Sequence, residues 1–162
     1  MSDKEKNLQR LKQKYEEIRS VNSLPSFEQL NQDFHIEKLA EIETDYLIRE
    51  IRKFIGDKLM SYLRFIEGLL NPVNAPMFVF SMIKLIDSEE KKKLSDIYKE
   101  LVKKEVGFIE LDLEFNQQKE YEFVRNSYEF WQKAKKETLE IMNKINNKWD
   151  DKFEANTKGY FG

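Results

Sequence analysis

The stretch from Thr44 to Leu70 constrains this chain most, because it carries one unbroken helical apolar pattern. Leu47, Ile48, Ile51, Phe54, Ile55, Leu59, Tyr62, Leu63, Ile66, Leu69 and Leu70 recur at i, i+3 and i+4. That is the period of a helix with one buried face, and strand alternation fits nowhere in it. Thr44 or Asp45 can cap the start, since a short side-chain oxygen satisfies the free N–H groups of a first turn. Asn71-Pro72 ends it, because the residue before a proline is pushed out of the α region. At about 1.5 Å per residue the helix is roughly 40 Å long, enough for other helices to pack along it.

One edge of this helix carries Arg49, Arg52, Gly56, Met60 and Glu67, with Lys53 beside it. Glycine costs about 1 kcal/mol against alanine in a helix interior. Gly56 therefore suggests a close approach, either by another helix or by a ligand. In the ligand reading Arg49, Arg52 and Lys53 form a basic edge that grips a phosphate or carboxylate.

The remaining segments also read as helices. The chain has 162 residues, with 5 Gly and 3 Pro, so turns are few and elements long. Charged residues make up 36% and apolar residues 40%, yet 12 Phe, 7 Tyr and 2 Trp supply a bulky core. This composition argues against disorder. An N-terminal helix over 1–20 has Leu8, Leu11, Tyr15 and Ile18 on a stripe spaced 3, 4, 3, which is a narrow heptad seam. Such a stripe docks on the body, on a second copy, or on another protein. Ser26 and Gln29 form a capping box for a short helix with Phe27, Leu30 and Phe34. Glu28 to Glu43 is acidic. His35 is the sole histidine, has no carboxylate four residues away, and reads as structural or neutral.

Asn71 to Pro76 is the clearest loop. Met77 to Ile86 is apolar nearly all round and reads as a buried short helix, with an exposed adaptable surface as the alternative. Asp87 and Glu90 form a second capping box, opening a helix through Leu94, Ile97, Leu101, Val102, Val106 and Ile109. Gly107 marks a potential kink. Ile109 to Phe115 alternates like a strand, but a helix is preferred because a lone strand has no ladder. The last helix spans about Glu120 to Lys152, with Val124, Ser127, Tyr128, Trp131, Ala134, Thr138, Met142, Ile145 and Trp149 on one face. A mobile tail is expected over 153–162. The order of long helix, proline loop and acid-capped helix resembles the layout of the helical part of GINS-type replication subunits, without a shared motif.

The expected fold is all-α: an antiparallel bundle of four to five main helices around the helix at 44–70, with its core in 26–152. No phosphate loop, nucleophile elbow, Glu-x-x-His pair or paired acidic metal motif is found, so no catalytic, cofactor or metal site is expected. Without cysteine there is no disulfide or thiolate chemistry. Net charge is −2 with both signs interspersed, which argues against nucleic-acid binding by bulk charge. The charged start lacks an apolar run for secretion, and no stretch is long enough to span a membrane. The expectation is a soluble, cytoplasmic, non-enzymatic interaction or scaffolding module that self-associates or binds a protein partner through Leu8, Leu11, Tyr15 and Ile18. The alternative is a nucleic-acid-associated protein using the Arg49, Arg52, Lys53 edge and the Lys91–Lys104 region.

Overall fold

A computed structural model describes residues 1–160, with side chains through Asp151. The described residues are all-helical, with no strand. The elements are α1 (Asp3–Asn22), α2 (Phe27–Phe34), a 3₁₀ turn (Ile36–Glu41), α3 (Leu47–Leu70), α4 (Met77–Ile83), α5 (Ser88–Leu113) and α6 (Gln117–Tyr160). Helix α3 occupies the stretch that the apolar periodicity marks out. The tail expected over 153–162 lies outside the residues whose side chains are described.

The chain divides into two compact units. The first comprises Met1–Ser61 and Val102–Trp131. Its core includes Tyr15, Leu30, Ile36, Leu39, Ile51, Ile55 and Val124, all buried. Helix α1 packs on the 3₁₀ turn and on α2. Tyr15 is fully enclosed, and its hydroxyl donates to the Pro25 carbonyl at 2.7 Å. Its ring meets Phe27 edge-on at 5.9 Å. Burial pushes the Tyr15 phenol well above its usual range. The Ser26–Gln29 capping box forms in both directions. His35 closes α2 in the left-handed region (φ 53°), a conformation in which histidine is enriched among non-glycine residues. Its N–H donates to the Asn31 carbonyl at 2.9 Å.

The second unit comprises Tyr62–Leu101 and Gln132–Gly162. Ile66, Leu69, Leu94, Ile97, Leu101, Ile141 and Ile145 form its core. The Asp87–Glu90 capping box is present, with N–H to carboxylate distances of 3.0 and 2.8 Å. Lys148 ties α6 to this corner by donating to the Leu85 carbonyl at 2.9 Å. Lys144 and Lys148 each lie 3.8 Å from the buried Glu90 carboxylate.

Two local expectations are corrected, on the cap of α3 and on the burial of α4. Thr44 and Asp45 do not cap α3 with a side chain: Thr44 Oγ1 accepts from the Tyr46 N–H at 3.0 Å. The Tyr46 carbonyl instead accepts the first helical N–H groups, from Arg49 and Glu50. Gly107 does not interrupt α5, which runs on to Leu113. The helix preferred over a strand for the alternating stretch from Ile109 is present up to Leu113. Finally, α4 is helical but is not deeply buried. Only Val79 of its seven residues is buried; Ser81, Met82 and Ile83 are half-buried, and Met77, Phe78 and Phe80 are exposed, so the short helix turns one side to its unit and leaves the other open.

Candidate interaction surfaces

On α1, Leu11 and Tyr15 are buried inside the first unit, while Leu8 and Ile18 are half-buried at its margin. Of the three dockings open to this stripe, the one on the chain's own body takes up Leu11 and Tyr15 and leaves Leu8 and Ile18 partly open. The physical reason is the 3₁₀ turn and α2, which supply the apolar surface a narrow seam requires.

On the α3 edge, Arg52 and Gly56 are packed within the first unit, whereas Glu67 belongs to the second and is exposed. Arg52 is fully buried. Its Nε lies 2.6 Å from Glu120 Oε2, its Nη2 donates to Asp112 Oδ1 at 2.8 Å, and its guanidinium sits 4.6 Å from the Phe108 ring centre. The Nε–Oε2 approach is short but off the N–H direction, so it is an ion pair without a directed hydrogen bond. Gly56 is bare because the Phe108 ring occupies the space that a Cβ there would need. Arg52, Gly56 and Phe108 therefore form one cluster, with the glycine serving a helix crossing. Arg52 faces carboxylates of its own chain and is not open to an external anion. Arg49 is half-buried, and Lys53 pairs with Glu50 at 3.3 Å. Burial raises the Glu120 carboxyl above its ordinary value, and the opposing pull of Arg52 and then Arg49 does not cancel this.

Among the described residues, exposed apolar side chains cluster on α4 and on α5. In the second unit, Met77, Phe78 and Phe80 of α4 are 84%, 63% and 40% exposed. In the first unit, Val102, Val106, Ile109 and Leu113 of α5 are 37%, 51%, 47% and 82% exposed. These four are spaced 4, 3, 4, as in a heptad seam. They lie roughly 170° around α5 from the buried Leu111 of the same unit, at about 100° per residue. Over this segment α5 therefore has a packed side and, opposite it, an open apolar one. Immediately beyond it, Phe115 meets Tyr46 edge-on at 5.8 Å, with both rings exposed.

Sequence reading pools Val102, Val106 and Ile109 with the buried residues of α5 into one apolar face. The signal that separates them is present in the sequence: the 4, 3, 4 spacing of Val102 to Leu113 is offset from the 3, 4 spacing of Leu94, Ile97 and Leu101. Among the described residues, no group of three or more His, Cys, Asp or Glu side chains could hold a metal ion. No helix among them is long and apolar enough to cross a membrane. Comparison of the chain with protein-family models, with curated proteins and with solved structures finds no match.

Proposed function

We propose that this protein is a non-enzymatic helical interaction module, and that the outer stripe of α5 is its contact surface. One observation carries the reading: four large apolar side chains at heptad spacing stand open on the face of α5 opposite its packed one. A surface helix of a lone globular unit needs only one apolar stripe. A second, regularly spaced stripe suits a partner helix, which would fill the gaps between its side chains. Helix α4, with its exposed methionine and phenylalanines, adds a second adaptable surface of the kind that re-packs against partners.

The nucleic-acid alternative has less support. It relied on Arg49, Arg52, Lys53 and the Lys91–Lys104 region, and of these Arg52 directs its charge at Asp112 and Glu120 while Lys53 pairs with Glu50.

The test is the double substitution Val106→Glu/Ile109→Glu. Both positions are exposed, so circular dichroism and thermal midpoint are expected to stay near the parent values. Association, read as solution mass and as co-purification of a stoichiometric partner, is expected to be lost. A parent chain that is monomeric and partner-free, and a variant that matches it in every respect, would remove the basis for the reading.

A further inference from the structure

The reading of the α5 stripe as a contact surface leaves its occupant open. We infer that the occupant is a second copy of this chain, with the two α5 helices antiparallel and Val102 facing Leu113 of the other copy. The inference rests on the proposed contact surface and adds partner, orientation and register.

The spacing defines the seam. Val102 and Ile109 take d positions, and Val106 and Leu113 take a positions. In an antiparallel pair, a residues of one helix layer against d residues of the other. One register then satisfies all four: Val102 on Leu113, and Val106 on Ile109, each occurring twice about the two-fold axis. The stripe is therefore self-complementary, which an isologous interface requires. Lys99 interrupts it on one side, and α5 ends at Leu113 on the other. A shift by one heptad would leave half of the seam uncovered.

Charge selects the orientation. The residues flanking the seam are Lys103 and Glu110 on one edge, and Glu105 and Asp112 on the other. In a parallel pair, the flanking residues that meet would be Glu105 and Glu110, like charges, twice. In the antiparallel pair the edges meet their own kind in reverse order, so Lys103 meets Glu110 twice. The opposite edge brings Glu105 toward Asp112, which sets two repulsions against these two attractions, whereas the parallel pair has its two repulsions with no attraction to offset them. Opposite charges across a seam set partner and direction more than they set affinity.

Size sets the expected strength. Four residues span roughly 16 Å of helix. That is shorter than a seam that holds a coiled coil unaided, and small against the roughly 800 Å² per partner of a standard stable interface. The pair is thus a weak, reversible dimer that forms as concentration rises.

The full chain has no cysteine, so single introduced thiols report the geometry cleanly. Val102→Cys and Leu113→Cys chains are oxidised mildly, each alone and as an equal mixture. The register predicts a covalent dimer in the mixture. It predicts little for either variant alone, because like positions lie roughly 16 Å apart along the antiparallel pair, beyond the about 7 Å limit for bridged Cα atoms. Self-crosslinking of Val102→Cys as efficient as that of the mixture would mean a parallel pair and would overturn the inference. So would the absence of any crosslink together with a monomeric mass at every concentration. In that last case the contact-surface reading stands or falls separately, on whether Val106→Glu/Ile109→Glu loses a partner that the parent chain holds.

Discussion

Arg52 is the residue whose surroundings most reshape the candidate site. A guanidinium removed from water needs charge and hydrogen-bond partners, and it finds them in Glu120, Asp112 and the face of Phe108. Removing one member leaves a buried charge behind. Arg52→Ala is therefore expected to cost about 3–5 kcal/mol, checked by urea unfolding. Gly56 is coupled to the same ring. Gly56→Ala gains about 1 kcal/mol of helix propensity, but forces the Phe108 ring to move, and overpacking costs about 1–3 kcal/mol. A net loss of stability in the same assay is expected, and a clear gain would show that the ring shifts freely. The pH response of Glu120 follows from its raised pKa. A group whose folded-state pKa lies above its unfolded value adds stability at low pH and loses it as pH rises through the folded pKa. Glu120→Gln removes that dependence, so the variant should gain relative to the parent as pH rises from the acidic range to neutrality. Relative loss over that interval would mean that attraction to Arg52 outweighs burial. None of this environment is visible in the sequence, because Arg52 and Glu120 are far apart along the chain and only the helix crossing brings them together.

At the scale of elements, local chemistry was legible and packing was less so. Both capping boxes, the proline stop after α3 and the helical period of α3 depend on neighbours within a few residues, and each forms as its spacing indicates. The fate of an apolar stripe depends instead on what lies across from it. Leu11 and Tyr15 show this on α1, where a seam suited to a partner is met by the 3₁₀ turn of its own chain. Met77, Phe78 and Phe80 show the converse on α4, where an apolar run remains exposed. Because α1 contributes Tyr15 to the core, a chain starting at Asn22 is expected to melt at a lower temperature while keeping the association state of the full chain. A truncated chain with an unchanged midpoint would contradict the packing of α1, and loss of association would return the contact to Leu8 and Ile18.

For the whole molecule, the account reduces to how many copies are present in solution and which surface joins them. The all-helical architecture followed from scarce Gly and Pro and from helical periods throughout. The open stripe of α5 did not, because two apolar stripes on this helix overlap in sequence and separate only when one is buried. The measurement that addresses this most directly is solution mass by light scattering across a wide dilution series, on the full chain and on Val106→Glu/Ile109→Glu. The account predicts that the full chain moves from monomer toward dimer as concentration rises, while the variant stays monomeric with an unchanged fold. A dimer that persists undiminished in the variant would contradict it and assign the contact to another surface.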